Sequence, residues 1–249
     1  MQAVENWNME IKKISVIIPT LNESGLLANT LTAVRQTSTL VPIEIIVVDG
    51  GSQDSTVEVA QAGADKILKA PDSSRGAQMH QGALDGSGDV FLFLHGDTCL
   101  PENWQACLIA AYRHVPVPVA TAFRLGFNHD AWYYRMFAWG ANARSGLFGI
   151  AHGDQALSVG RQPYLNSGGF PSVALMEEYF LGPALRAQGK VVLLDAVVTT
   201  SARRYEENGP FFNVIRNQFL TLLFYMGVST KTLARFYQWS RKRKPEKPQ

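Results

Sequence analysis

Short runs of apolar residues alternate with helical patterns along the first hundred residues of the chain. The strand-like runs lie at Ile14–Thr20, Ile43–Asp49, Lys66–Ala70 and Val90–Leu94, and the helical segments lie at 22–36, 55–63 and 76–84. Uninterrupted apolar runs are typical of strands that are buried on both faces of a parallel sheet. The second helical segment begins with the capping-box pattern Ser55-Thr56-Val57-Glu58. This alternation predicts β-α-β units with right-handed crossovers.

The second half of the chain has a less regular pattern. Strands are predicted at 119–127, 156–159 and 191–194, and helices at 103–114, 132–144, 176–188 and 211–226. We therefore predict an α/β fold with a mostly parallel central sheet, flanking helices and further helices at the C-terminus. One domain is expected over residues 14–240. It follows a polar lead-in at 1–13 and precedes a basic tail at 241–249, which we expect to be disordered.

Composition narrows the class of protein. With 249 residues and 46% hydrophobic content, the chain can bury one large core. A charged fraction of 18% and a net charge of +2 argue against a disordered chain and against a general nucleic-acid binder. No signal peptide is recognisable, and Cys99 and Cys107 match no zinc or redox spacing, so we expect a cytoplasmic protein with two buried thiols.

The candidate chemistry centres on Phe91–Pro101, F-L-F-L-H-G-D-T-C-L-P. The apolar run leads directly into His95, Gly96 and Asp97, and ligands of open α/β sheets bind just beyond the carboxyl ends of such strands. Asp97 can therefore be a ligand of a hard divalent cation whose coordination is completed by substrate phosphates. Alternatively, Asp97 caps the following turn. No G-x-G-x-x-G follows a strand and no G-x-x-x-x-G-K-[ST] occurs, so neither a dinucleotide site nor a P-loop is supported.

An ordered set of motifs over residues 14 to 237 resembles the inverting family-two glycosyltransferases of the GT-A fold. The motifs are V-I-I-P-T-L-N-E, I-I-V-V-D-G-G-S, H-G-D-T in place of D-x-D, and M-E-E in place of the "E-D" helix start. S-R-G-A-Q-M, N-A-R-S-G, G-D-Q-A-L and T-S-A-R-R-Y are closer to a bacterial subgroup, the transferase 2 proteins associated with radical-SAM and selenoprotein genes. The resemblance implies transfer of a sugar from a nucleoside diphosphate sugar to an acceptor hydroxyl, with inversion.

The resemblance also implies roles for individual residues. It places the nucleotide sugar at Pro19, Thr20, Asn22, Glu23, Asp49, Gly50, Ser52, Arg75, Gly76 and Gln78. It assigns Mg²⁺ or Mn²⁺ to Asp97, with His95 either a second ligand or a residue that orients the turn. Alternatives exist for two of the donor residues, since Asp49 is also suited to stabilising the Gly50-Gly51 turn and Arg75 to a solvated surface.

On the catalytic and acceptor side, Glu178 is the candidate general base, and Glu177 supports it. Their alternative role is compensation of the helix dipole. The subgroup's acceptor-side residues correspond to Gly153, Asp154, Gln155, Arg203 and Arg204.

The segment Phe211–Met226 has a broad apolar face and a polar stripe at Asn213, Asn217 and Thr221. The apolar face either packs on the sheet or, together with the basic tail, lies on the inner face of an anionic membrane that carries a lipid-linked acceptor. The alternative functions are a nucleotidyltransferase, although its glycine-rich loop is missing, and a sugar-nucleotide binder without catalytic activity.

Overall fold

The computed structural model describes residues 10–71, 73–149, 151 and 153–241. Most of the predicted lead-in and nearly all of the basic tail lie outside the described residues. A single eight-stranded sheet runs through the described part of the chain. Its strands are β1 (Ile14–Thr20), β2 (Ile43–Asp49), β3 (Lys66–Lys69), β4 (Val90–Phe93), β5 (Thr98–Cys99), β6 (Ala120–Phe127), β7 (Ser158–Gly160) and β8 (Val191–Thr200).

Helices cover the sheet and form the C-terminal part of the described chain. They are α1 (Ser24–Thr37), α2 (Thr56–Gln61), α3 (Arg75–Asp85), α4 (Trp104–Tyr112), α5 (Trp132–Phe148), α6 (Arg161–Asn166), α7 (Glu177–Arg186), α8 (Arg203–Asn208), α9 (Pro210–Tyr225) and α10 (Thr230–Arg241). A 3₁₀ turn at Gly153–Gln155 precedes β7.

The strand order is β3-β2-β1-β4-β7-β6-β8-β5. The pairs β1–β2, β2–β3, β1–β4 and β6–β8 are parallel, as the β-α-β pattern predicts. The pairs β4–β7, β6–β7 and β5–β8 are antiparallel and short, so the sheet is mixed, with the longer ladders parallel. The α/β class and the flanking helices are confirmed.

Successive residues of β1 contribute to separate cores on the two faces of the sheet. Val16 and Ile18 belong to a cluster that includes Leu27 of α1 and Trp104 of α4. Ile17 belongs to a second cluster, which includes residues of α3, α6 and α7. Because β1 is buried on both faces, its sequence is apolar without alternation.

Several predicted boundaries are wrong for identifiable reasons. Helix α5 continues four residues beyond Arg144 and ends only at Gly149, which takes the left-handed conformation. The Ser55 side chain does not cap α2; instead the Asp54 carboxylate accepts the Thr56 N–H at 3.1 Å. Strand β8 runs six residues past Leu194, because its outer half pairs with both β6 and β5. The cysteines are less buried than predicted, and Cys99 is exposed.

Candidate active site

The turn that carries His95 and Asp97 leaves the sheet at the carboxyl end of β4, and several neighbours hold its backbone. The Thr30 hydroxyl of α1 donates to the Gly96 carbonyl at 2.8 Å. Ser201 N–H donates to the Asp97 carbonyl at 3.1 Å. The next residue, Thr98, pairs with Thr200 in the β5–β8 ladder. The backbone that carries Asp97 is therefore held on both sides of this residue.

A cavity of about 200 Å³ opens beside this turn. Six residues with sequence-predicted roles contribute to its wall, namely Arg75, His95, Asp97, Gly153, Asp154 and Glu178. They come from four separate segments of the chain: the start of α3, the turn after β4, the 3₁₀ turn and the start of α7. The structure thus brings together the predicted catalytic base, both predicted metal ligands and part of the predicted acceptor side.

The start of α7 gives the two adjacent glutamates different environments. Met176 immediately before them has a φ of +70°, a conformation that is costly for a side-chain-bearing residue and that tends to occur at functional sites. Glu177 accepts a hydrogen bond from Arg75 Nε at 2.7 Å and is 2% exposed. Glu178 lines the cavity, 3.7 Å from the Arg75 guanidinium, and its carboxylate accepts Gly153 N–H at 3.4 Å.

The ion pair also acts on Arg75. The neighbouring Glu177, opposed by burial and reinforced by Glu178, raises the pKa of the Arg75 guanidinium above its ordinary value. Arg75 therefore stays charged and holds the start of α7 against the start of α3. The alternative of a purely solvated arginine is wrong, because the guanidinium is paired with a buried carboxylate.

Two glycines allow this close packing. A Cβ at Gly76 would lie 2.8 Å from the Pro171 carbonyl and 2.9 Å from the Glu177 Cβ, so only glycine lets α3 approach α7 in this way. A Cβ at Gly153 would meet the His95 ring at 2.2 Å from Nε2. Gly76 and Gly153 thus leave room for the Glu177 side chain and the His95 ring, respectively.

Asp154 is a carboxylate of the cavity wall whose pKa is shifted by its surroundings. Its Oδ1 is buried and has no hydrogen-bond partner among the described residues. Burial, opposed by Arg144 and reinforced by Glu178, raises the pKa of the Asp154 carboxyl to about 6. Because Asp154 lines the cavity, its carboxylate is suited to accept a hydrogen bond from a bound molecule.

The neighbouring Gln155 has a different role from the predicted one. It is fully buried and lies behind the cavity, where its side chain accepts from Ser145 and donates to the Phe123 carbonyl. These contacts fix the 3₁₀ turn to α5 and β6.

The predicted nucleotide residues form a second group at the carboxyl ends of β1 and β2. Asp49 accepts hydrogen bonds from the backbone N–H groups of Gly51 and Ser52, both at 3.0 Å. Asn22, in the left-handed conformation, accepts from Gln53 N–H at 2.8 Å and donates its own N–H to the Ser52 hydroxyl. Asp49 therefore stabilises its own turn, as the structural alternative predicts, and a nucleotide role for it stays a prediction.

Further contacts hold the members of this second group in place. Arg203 donates to the Glu23 carboxylate at 3.0 Å, which connects the start of α8 to the start of α1. Gln78 packs against Gly50, where a Cβ would be 2.1 Å from its side-chain nitrogen. Pro19 and Thr20 are the last two residues of β1 and are buried. Thr20 is 1% exposed and lies beside Asp49. Arg204 lies in α8, and its side chain is outside the described part of the structure.

Sequence reasoning missed the far wall of the cavity. It is built from Tyr205 of α8, Asn213, Arg216 and Asn217 of α9, and Tyr237 of α10. Arg216 is 6% exposed and stacks 4.4 Å from the centre of the Tyr237 ring. The polar stripe on Phe211–Met226 was the available signal, because Asn213 and Asn217 belong to it.

The protein groups available for a cation are few. Among the described residues, no cluster of three or more His, Cys, Asp or Glu side chains could hold a metal ion. Asp97 and His95 alone fit a cation that takes its remaining ligands from water and substrate phosphates, as Mg²⁺ commonly does. They do not fit a closed structural metal site.

Comparisons with known proteins agree with this geometry. The family described as "Glycosyl transferase family 2" matches residues 15–166. The O-antigen chain rhamnosyltransferase RfbN of Salmonella typhimurium is 48% identical over 123 residues, which are 48% of this chain and 39% of the relative. The chain spans less than half the length of the curated relatives that it matches.

Solved structures show the same fold. A mannosyltransferase from Pyrobaculum calidifontis in complex with GDP-Man and Mn²⁺ aligns with a TM-score of 0.59 over 77% of this chain and 57% of its own, at 16% identity. TarS of S. aureus in complex with UDP-GlcNAc aligns with a TM-score of 0.56 over 76% of this chain and 58% of its own, at 15% identity. At these identities the likeness shows the GT-A-type fold.

Proposed function

The chain belongs to glycosyl transferase family 2, and from this membership we propose that it transfers a sugar from a nucleoside diphosphate sugar to an acceptor hydroxyl. Two proteins of the same fold have been solved with such donors, GDP-Man and UDP-GlcNAc. The observation that carries the proposal is the shared cavity of Asp97 and Glu178. A group suited to the diphosphate side and a group suited to the acceptor side face the same space.

Glu178 is proposed as the general base. In an inverting transfer the acceptor oxygen forms a bond to the anomeric carbon while the bond from that carbon to the diphosphate oxygen breaks on the opposite side. The acceptor proton passes to the Glu178 carboxylate, which lines the cavity and is 5% exposed. Glu177 does not face the cavity in this way, since Arg75 holds it. In this proposal Glu178 is the reactive carboxylate, and Glu177 supports it through its ion pair with Arg75.

Asp97, with His95 beside it, is proposed to hold a divalent cation of the Mg²⁺ or Mn²⁺ type. Such a cation, when bound, supplies positive charge that stabilises the diphosphate leaving group. The protein contributes further positive charge at Arg75 and Arg216, both on the cavity wall. Asp154, with its raised pKa and unpartnered oxygen, is proposed to orient a hydroxyl of the donor sugar or the acceptor.

Two finer predictions belong to this proposal and rest on sequence alone. Membership of the bacterial radical-SAM-associated subgroup rests on the motifs of residues 14 to 237. A cytoplasmic location is the second of these predictions. Among the residues that the structure describes, none of the helices combines the length and the apolar content needed to cross a bilayer.

Donor binding and cleavage test the proposed function directly. Thermal-shift measurements with UDP-, GDP- and dTDP-sugars, with and without Mn²⁺, are expected to identify one base that stabilises the protein in a metal-dependent way. The selected donor is then incubated with the protein, and slow release of the nucleoside diphosphate is measured. Binding without any release, including in the presence of candidate acceptors, would instead support a binding protein without catalytic activity.

A further inference from the structure

Helix α9 has its polar and apolar faces reversed relative to an ordinary surface helix. Its inward face lines the cavity with Asn213, Arg216, Asn217 and Thr221, and with Leu220 as the apolar member. Its outward face carries large apolar residues that are between 46% and 70% exposed, namely Phe211, Ile215, Phe219 and Leu222. Met226, just past the end of the helix, continues this face. A surface helix of a globular protein normally turns its apolar stripe to the core. The sequence alternative in which this face packs on the sheet is therefore wrong.

The exposed residues form one continuous stripe. At 3.6 residues per turn they fall within an arc of about 80°. The cavity-lining residues are centred on the opposite side of the helix. Isolated exposed apolar residues are common, but a contiguous exposed stripe of this kind marks a binding surface.

Ring contacts extend this stripe to the neighbouring helices. Phe219 contacts Phe236 of α10, with ring centres 6.1 Å apart, and Phe236 contacts Trp239 at 5.7 Å. On the other side, Phe211 contacts Tyr133 of α5 at 5.5 Å, next to Trp132, which is 62% exposed. Trp132 and Trp139, the latter 73% exposed, are thus surface residues.

The positive charge around α9 and α10 indicates what kind of partner would bind the exposed apolar stripe. From Asn208 through Pro245 the chain contains no Asp or Glu and seven Lys or Arg residues, of which Arg216 lines the cavity. Lys231, Arg235 and Trp239 are exposed on α10 and follow one another at intervals of four residues, so they lie on one side of the helix. Four further cations follow at Arg241–Lys244 in the sequence. Exposed aromatic residues beside a cluster of cations fit the interface of an anionic bilayer, where tryptophan rings and basic side chains both bind favourably.

We propose that the outward face of α9, together with Phe236, Trp239 and the basic residues of α10, docks this protein on the surface of an anionic membrane. A second copy of the chain fits less well, because two such surfaces would bring like charges together. Docking in this orientation puts α9 between the bilayer and the cavity, because its outward face would contact the bilayer and its inward face lines the cavity. The proposal does not depend on the proposed sugar transfer.

Sedimentation with vesicles tests the docking surface. The full chain is incubated with vesicles of phosphatidylcholine alone or of phosphatidylcholine with phosphatidylglycerol, at low and high salt. We expect binding to the anionic vesicles that weakens with salt. The double variant Ile215→Glu/Leu222→Glu should lose at least about tenfold in affinity, because it places two carboxylates in the apolar stripe.

A matched control separates this stripe from general surface hydrophobicity. Leu40 and Leu84 are 58% and 60% exposed, like Ile215 and Leu222, but lie outside α9 and α10. The variant Leu40→Glu/Leu84→Glu should bind vesicles like the unmodified chain. Equal binding by both double variants, or no binding by the unmodified chain, would overturn the proposal. So would a stable dimer in solution that only the α9 variant dissociates. Metal-dependent donor binding, measured in parallel, reports separately on folding and on the proposed function.

Discussion

At the scale of single residues, Glu177 and Glu178 show how one step along a helix gives two carboxylates different environments. Both are buried and both lie near Arg75, yet only Glu178 is on the cavity wall. A hydrogen bond at 2.7 Å engages Glu177 in the ion pair, whereas the closest guanidinium nitrogen is 3.7 Å from Glu178. The second glutamate is thus positioned by the first and remains available to accept a proton.

The substitution Glu178→Gln tests this division. It preserves the shape of the side chain and removes its basicity, so donor binding should survive while transfer falls at least about 100-fold. The measurement compares single-turnover transfer with donor affinity from calorimetry. Glu177→Gln is the control, and it should lower protein stability through the loss of a buried ion pair. Near-normal transfer by the Glu178 variant would show that another group, with Asp154 the nearest candidate, takes the proton.

Asp97 allows a second test at this scale. If it holds the cation, Asp97→Ala should abolish Mn²⁺-dependent affinity for the nucleoside diphosphate and leave the melting temperature without ligand nearly unchanged. His95→Ala should weaken the site but leave it measurable. Calorimetric titration of each variant with and without Mn²⁺ provides the comparison. Unaltered metal-dependent affinity in Asp97→Ala would place the cation elsewhere.

The sequence could predict the residues that sit within recognisable motifs, and it missed those that do not. Asp97 and Glu178 follow from H-G-D-T and M-E-E, and both lie in the cavity. Arg216 and Tyr237 reach the same cavity from α9 and α10, more than a hundred residues later in the chain than Asp97. Nothing local distinguishes a cavity-lining arginine from a surface arginine, because the difference arises from how distant helices pack.

At the scale of elements, the contact between α3 and α7 positions the candidate base. It depends on Gly76, the second residue of α3, because any Cβ there would press on Pro171 and Glu177. The boundaries of these helices were predictable to within a few residues. Their mutual approach was not, since the sequence shows a glycine but not the element that will pack against it.

Substituting Gly76→Ala tests the role of this contact. We expect a loss of about 1–3 kcal/mol in the free energy of unfolding, typical of overpacking, and a further loss of transfer as the start of α7 is displaced. Gly25→Ala is a matched control, because Gly25 is likewise the second residue of its helix and a Cβ there meets nothing within 4 Å. It should be neutral or slightly stabilising. Chemical denaturation and transfer rates are measured for both, and an equal effect of the two variants would contradict the packing role.

At the scale of the whole molecule, the sheet separates a stabilising end from a functional end. At the starting ends of β1 and β2, Glu44 is 5% exposed and accepts hydrogen bonds from the Ser15 hydroxyl, the Ser87 N–H and Lys13. Burial raises the pKa of its carboxyl, but these bonds outweigh it and lower the pKa to about 2. At the opposite end, the cavity keeps Asp154 with a raised pKa. The fold thus stabilises the ionised form of Glu44 and disfavours the ionised form of Asp154.

The α/β class and the order of the first four strands along the chain followed from the periodicity of the sequence. The insertion of antiparallel β7 between β4 and β6 did not, because β7 is only three residues long and its pairing is entirely non-local. The same limit applies to α9. Its two faces were visible in the sequence, but which face turns inward is decided by the cavity that it closes.

The contrast between the two carboxylates predicts how stability depends on pH. Between about pH 4 and pH 6 the folded chain keeps a proton on Asp154 that the unfolded chain has released, so this residue lowers stability as the pH rises. A pKa raised from 3.8 to about 6 corresponds to a cost of up to about 3 kcal/mol above that range.

Asp154→Asn cannot ionise, so this variant should be more stable than the unmodified chain at neutral pH, and the difference should shrink toward pH 4. Glu44→Gln provides the opposite control. Its hydrogen bonds stabilise the ionised form, so the variant should be less stable at neutral pH and approach the unmodified chain as the pH falls from 4.5 toward 2. Denaturation of all three proteins across this range gives the comparison. If the gain for Asp154→Asn does not change with pH, packing at position 154 limits stability at the cavity, and the charge of the buried carboxylate does not.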